Sequence, residues 1–310
     1  MYDTRVGDYL RQAIFGAHSS EQIYITLLLS YSLGEGPAAT VTGLVPDLHH
    51  FRGSFGGKDV IPLWRDAAAT RPNVGAAALA ALRAALGGDL TAEDLFAYAY
   101  AILANPGYAR RFRQELAVPG PRLPITKDRT LFDQAVALGR RLVWLHTYGE
   151  RMAPEGAAPG EVPRGGARCT VAVPASAEGY PEDYGYDAAT REVRVGAGRF
   201  GPVTPEVWDF AVSGFEFVKS WLGYRMKRRA GRRSSPLDDI GPRSWTAAMT
   251  EEFLELLWVL ERTLEMYPAL DGLLEAVAAG PCFAADELPP PTEAEREPPR
   301  RANQRQPRLV

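Results

Sequence analysis

The chain has 310 residues, 46% of them hydrophobic, and its 35 Lys and Arg set against 38 Asp and Glu leave a formal net charge of -3. A chain of this length and apolar content can bury a sizeable core, as one large domain or as two. The charge balance excludes a protein that coats polyanions irrespective of sequence. No run approaches the roughly 18 apolar residues of a membrane span, and the start MYDTRVGDYLRQ lacks the basic-then-apolar order of a secretory signal, so a cytoplasmic location is expected.

In chain order, residues 22–29 (QIYITLLL) and 39–44 (ATVTGL) are rich in Ile, Thr, Val and Tyr and flank a Gly-Glu-Gly-Pro turn signal, which predicts two neighbouring strands. Residues 45–65 are broken by Pro46, Gly53, Gly56, Gly57 and Pro62 and read as loop. Helices are expected over 76–86, from Thr91 to about 103, over 107–116, and from a cap at Asp128 to about His146. The second of these has a hydroxyl at its N-cap and carboxylates in its first turn, and Asn105-Pro106 stops it. Residues 151–167, dominated by Pro, Gly and Ala, read as a flexible connection.

Strands return at 169–173, 184–186 and 192–195, the last two joined across Asp187-Ala-Ala-Thr as a hairpin. Helices over 215–228 and 246–266 follow, the latter with Met249, Phe253, Leu256, Leu257, Leu260 and Leu264 on one face. From residue 284 the chain gains Pro and mixed charge, the composition of a disordered tail. No repeat of fixed period is evident. The expected fold is therefore α+β, with mixed small sheets, a helical middle and a C-terminal helical block. The expected organisation is an N-terminal half over 1–150, a connection over 151–167, a C-terminal half over 168–283 and a tail over 284–310.

The strongest charge feature lies at 225–233, where Arg225, Lys227, Arg228, Arg229, Arg232 and Arg233 put six cations in nine residues directly after Trp221 and Tyr224. Such a local concentration suits contact with a polyanion, although helix C-termini also favour cations. A second basic segment, FRGSFGGK, joins glycines to Arg52, Ser54 and Lys58, with Arg65 following. It lacks the GxxxxGK[ST] order of a nucleotide phosphate loop, because Asp59 follows Lys58. A flexible glycine loop with cations suits close approach to a phosphate backbone, and a structural turn with solvated charges explains the composition equally well.

Gly196-Ala-Gly-Arg-Phe-Gly201 matches GxGxxG, but Pro202-Val-Thr-Pro205 follows where a dinucleotide fold needs a helix start, so a tight turn is expected. No metal site is expected, since adjacent His49 and His50 have no third ligand at suitable spacing, and His146 beside Trp144 and Tyr148 reads as packed. Cys169 and Cys282 are expected to be buried free thiols. No self-contained active site is evident: the chain has no (Asp/Asn/Ser)-Pro-Pro-(Tyr/Phe) loop for an extruded base, no glycine-rich methyl-donor turn, no nuclease acid cluster and no Walker motif. Whether the chain is an enzyme is left open.

Several strings, in order, resemble one family: VPDLHHFRGSFGGKDVIPLWRD at 45–66, EDLFAYAYAILANPGYARRF at 93–112, LGRRLVWLHTYGE at 138–150, VWDFAVSGFEFVKSWLGYR at 207–225 and RRSSPLDDIGPRSWTAAMTEEFLELLWVL at 232–260. They are similar to the C-terminal target-recognition, or specificity, domain of Type ISP restriction-modification enzymes. In that family one polypeptide carries a nuclease, an ATP-driven translocase, an adenine-N6 methyltransferase and finally the specificity domain. The resemblance implies sequence-specific recognition of double-stranded DNA in phage defence, with Arg52, Ser54, Lys58, Arg65 and the 225–233 cluster at the DNA. It implies no cofactor in this chain, since S-adenosylmethionine, ATP and Mg would belong to catalytic domains lying elsewhere, on a methyltransferase or translocase partner chain. Two alternatives stay open: a protein-interaction or scaffold module of a defence system, and a truncated, non-functional remnant.

Overall fold

The structure, a computed structural model, describes residues 12–29, 33–34, 36–46, 59–227 and 244–297. Its contacts divide the chain into a first unit, Met1–Pro159 with Ala269–Val310, and a second, Gly160–Pro268.

The first unit begins with the short helix α1 (Gln12–Gly16), followed by the strands β1 (Tyr24–Leu27) and β2 (Ala39–Thr42), which pair antiparallel as expected. A third strand, β3 (Asp59–Pro62), pairs on the other side of β1, so the sheet order is β2-β1-β3. This corrects the loop expected over 45–65, whose glycines and prolines hide a four-residue edge strand. Pro62 is tolerated at such an edge, where one backbone N–H is not required. The central strand β1 is buried along its whole length, and Thr26 meets Thr40 across the pair at 2.5 Å between hydroxyl oxygens.

Helices α2 (Ala76–Leu86), α3 (Ala92–Leu103) and α5 (Arg129–His146) lie where the sequence placed them. Thr91 and Asp94 form a reciprocal capping box at the start of α3, and the Asp128 carboxylate accepts the Leu131 N–H at the start of α5. The helix expected over 107–116 is instead one turn, α4 (Tyr108–Arg111), and a separate 3-10 turn, Glu115–Ala117. α3 and α5 pack unusually closely. Gly139 makes that possible, since a Cβ there would sit 1.9 Å from the Ala97 carbonyl oxygen. Tyr98 stacks on Phe132 with ring centroids 4.7 Å apart, and its hydroxyl donates to Pro124 O at 2.8 Å.

The second unit holds a four-stranded antiparallel sheet in the order β4-β7-β6-β5, from β4 (Arg168–Val171), β5 (Tyr184–Asp187), β6 (Glu192–Val195) and β7 (Gly198–Gly201). The β5–β6 hairpin is the expected one. The glycine-rich GxGxxG segment forms the next turn and β7 itself. Gly198 is required there because a Cβ would lie 2.4 Å from a Val173 methyl group, and Gly196 takes φ 55° at the turn. After the one-turn helix α6 (Pro205–Trp208), the tiny hairpin β8 (Ala211–Val212) and β9 (Phe215–Glu216) takes up the start of the expected 215–228 helix, leaving α7 (Phe217–Gly223).

The last long helix, α8 (Ala247–Ala279), runs 33 residues and passes Pro268, beyond the expected end at Met266. It continues because Leu270, Leu273, Leu274 and Val277 are buried in the first unit, and burial of four such side chains outweighs the roughly 3 kcal/mol that an internal proline costs. Residues 269–283 therefore belong with the first unit and not with a C-terminal half as expected. Asn105 Nδ2 donates to Leu270 O at 2.5 Å, and Thr126 bridges Cys282 in an isolated β-pair. The tail is described to residue 297 and carries the 3-10 turn Ala285–Glu287 and the helix α9 (Glu293–Arg296), opened by a Thr292–Glu295 capping box. Cys169 and Cys282 are free thiols, half-buried where full burial was expected.

Candidate nucleic-acid interface

In the second unit an aromatic column connects the sheet to the start of the basic run. Phe200 on β7 meets Phe253 on α8 edge-on at 4.9 Å, and Phe253 stacks on Trp221 of α7 at 5.0 Å. The Arg225 guanidinium lies 3.6 Å over the Trp221 ring. Arg225 also pairs with Glu252 at 3.1 Å, and its carbonyl accepts the Tyr180 hydroxyl proton at 2.5 Å. Two residues on, the Lys227 N–H donates to Pro181 O at 2.8 Å and its ammonium pairs with Glu182 at 2.9 Å. Trp245, one residue after the described chain resumes, is buried against the same Trp221 at 6.1 Å.

Arg225 and Trp245 thus meet the same aromatic ring, that of Trp221. Tyr224, at the C-cap of α7, stands 75% exposed beside it, an aromatic face open to a partner. Arg225 and Lys227 have their charges met by carboxylates of the same unit. Arg228, Arg229, Arg232 and Arg233 lie outside the described residues.

In the first unit Arg52, Ser54 and Lys58 also lie outside the described residues, and Arg65 is engaged. Its guanidinium donates to Asn73 Oδ1 at 3.3 Å, to Glu295 O at 2.7 Å and to Glu297 O. The Glu295 carboxylate accepts the Ala76 N–H at 2.8 Å, at the start of α2. Gly75, the N-cap there, has no side chain for that purpose, so a residue of the tail caps the helix. Hydrogen bonds from Ala76 and Thr292 hold the Glu295 carboxyl down at about 2. Sequence reasoning missed this arrangement, because no local signal joins positions this far apart.

Other candidates resolve into structural roles. His146 is half-buried, with Nδ1 2.6 Å from the Tyr100 hydroxyl, and desolvation of its ring pushes its pKa down to about 4, which favours the neutral form. Arg199, inside the glycine-rich segment, turns back to donate to the Gly198 carbonyl at 2.9 Å, which closes the turn. Among the described residues no group of His, Cys, Asp and Glu is placed to hold a metal ion, and no helix is long and apolar enough to cross a membrane. Sequence reasoning also passed over a second concentration of exposed cations, Arg110, Arg111, Arg113 and Arg122, whose signal was three arginines in four residues.

Residues 1–256 match the family model of the Type ISP C-terminal specificity domain. Two solved structures share the fold. One is a cryo-EM structure of a DrdV–DNA complex, 20% identical with a TM-score of 0.57, covering 81% of this chain and 24% of that one. The other is a nuclease-deletion mutant of the Type ISP restriction-modification enzyme LlaGI in complex with a DNA substrate mimic, 16% identical with a TM-score of 0.52, covering 81% of this chain and 21% of that one. The chain therefore spans a quarter or less of the length of these relatives. No curated protein matches it.

Proposed function

The chain belongs to the family of Type ISP C-terminal specificity domains, and we propose that it recognises a DNA sequence for a Type ISP restriction-modification system. Family membership across residues 1–256 is the observation that carries this reading. The aromatic-rooted basic run supports it. Phosphate contacts fix a protein's register on a duplex, while base edges in a groove supply the sequence information. The described residues on either side of 228–243 are fixed, Lys227 by Pro181 O and Glu182 and Trp245 by Trp221, and order already present in a contact surface lowers the freedom lost on binding. Tyr224 offers an aromatic surface at the same place.

In this reading Arg52, Ser54, Lys58 and the arginines from 228 to 233 meet DNA, while Arg65 in the first unit and Arg225 and Lys227 in the second are engaged within the protein. Methyl transfer, translocation and cleavage, with their S-adenosylmethionine, ATP and Mg, belong to other domains or to a methyltransferase or translocase partner chain, in the cytoplasm where the DNA lies. Passing a randomised duplex pool over the immobilised chain tests the proposal. One enriched sequence is the expected result. Retention of no DNA, or of DNA without enrichment at physiological salt, would overturn it.

A further inference from the structure

The segment PPPTEAERE at 289–297 carries carboxylates at alternate positions, Glu293, Glu295 and Glu297. Its composition promises no core, and none of residues 284–297 is buried. The segment is nevertheless seated on the first unit by polar contacts. Glu287 pairs with Lys127 at 2.6 Å, the Glu295 carboxylate accepts the Ala76 N–H at 2.8 Å, and the carbonyls of Glu295 and Glu297 accept from the Arg65 guanidinium. Pro291 crosses directly over the start of α2, where a Cβ on Gly75 would lie 3.4 Å from the Pro291 Cα.

Two properties make this segment a detachable strap. A stretch without buried apolar side chains opens locally at little cost. The groups it fills are also those that bind phosphate: an amide at the N-terminus of an eleven-residue helix, whose N-cap glycine offers no side chain, and the guanidinium of an arginine. The strap serves Arg65 through main-chain carbonyls, which carry no charge, and the buried Arg65 Nε has no hydrogen-bond partner among the described residues. A phosphate brings charge and further acceptors to the same guanidinium. The strap lies outside the residues that match the specificity domain, so loosening its grip leaves the matched part whole.

We propose that residues 288–297 form an autoinhibitory strap that competes with the DNA backbone for Arg65 and the N-terminus of α2, an inference that rests on the DNA-recognition reading above. With the strap seated, Arg65 is engaged within the protein. With the strap released, Arg65 and the Ala76 amide take a phosphate. The apparent affinity for DNA is therefore the intrinsic one reduced by the fraction of chains whose strap is open.

The test compares the full chain with its Glu295→Ala and Glu293→Ala variants in binding a fluorescein-labelled mixed-sequence duplex at one salt concentration. Each substitution removes one negative charge from the turn α9, but Glu295 is the residue that caps α2. Glu295→Ala should tighten binding by about two- to thirtyfold, the change in equilibrium that loss of a helix N-cap brings, and Glu293→Ala should tighten it less. Glu295→Ala should also lower the thermal midpoint, so that affinity rises as stability falls. A clip with a purely structural role would lose stability and gain no affinity. A gain at Glu295 no greater than that at Glu293 would overturn the inference and leave the DNA-recognition reading standing, as would an unchanged affinity with a lowered midpoint. Absence of duplex binding in the parent and in both variants is a separate result. It overturns the DNA-recognition reading and this inference with it.

Discussion

Replacing Arg225 with Ala separates a cation that holds the scaffold from the cations proposed to meet DNA. Its guanidinium lies 3.6 Å over Trp221, half-buried, where a cation–π contact is worth about 1–2 kcal/mol. The pair with Glu252 at 3.1 Å adds about 0.2–1 kcal/mol, because the carboxylate is half exposed and screened. Together these put the loss at roughly 1–3 kcal/mol, which lowers a thermal midpoint by about 4 °C or more in a unit of this size. Salt dependence should barely change, since a cation already neutralised by Glu252 releases few counterions on binding. Changing Arg228, Arg229 and Arg232 to Ala should do the reverse, flattening the salt slope by about 3 with the midpoint held. Differential scanning calorimetry and a fluorescence-anisotropy salt series read the two quantities independently. If Arg225→Ala left the midpoint alone and flattened the slope by about 1, Arg225 would have to release Glu252 for a phosphate, and the division between the two groups would fail.

Gly139→Ala should destabilise the first unit despite the higher helix propensity of alanine, which favours it by about 1 kcal/mol. The new methyl would meet the Ala97 carbonyl, which is backbone and cannot rotate away, so α3 and α5 must part by about 1.5 Å; overpacking of that kind costs about 1–3 kcal/mol or more. Urea unfolding checks the sign, and a variant as stable as the parent contradicts the close approach. For His146 the folded pKa is depressed to about 4 by burial, below the ordinary value near 6.5. The unfolded chain therefore takes up the proton first, and stability present above pH 6.5 is lost as pH falls toward 4. His146→Gln should flatten the urea midpoint between pH 6.5 and 5, and parallel profiles for parent and variant would exclude this histidine as the source.

What the sequence revealed, and what it concealed, follows the range of the interaction responsible. Thr91 with Asp94, and Asp128, mark helix starts through hydrogen bonds spanning three residues, so α3 and α5 could be placed from local chemistry alone. The β5–β6 hairpin is equally local. β3 was hidden because its stability comes from pairing with β1, far back in the chain, and its own four residues include a proline. β7 was read as a turn because glycine is the usual mark of one; at Gly198 it marks instead the close passage of Val173. α8 was ended before its proline because what marks its continuation is tertiary: the leucines beyond it are buried, and the Leu270 carbonyl accepts from Asn105, more than a hundred positions earlier.

The same rule governs the candidate site, and it shows how the proposed contact with a polyanion is compatible with a net charge of -3. Density of Arg and Lys along the sequence identifies where positive charge is made, but not where it is left over. Arg225 and Lys227 sit in the densest run and are nevertheless met by Glu252 and Glu182, while the sparser Arg110, Arg111 and Arg122 have no such acid among the described residues. Pairing that depends on tertiary neighbours thus sorts cations into those that hold the fold and those whose field reaches solvent. Because counterion release counts only the second kind, the salt slope of binding measures this partition directly, and the total of Lys and Arg does not enter it.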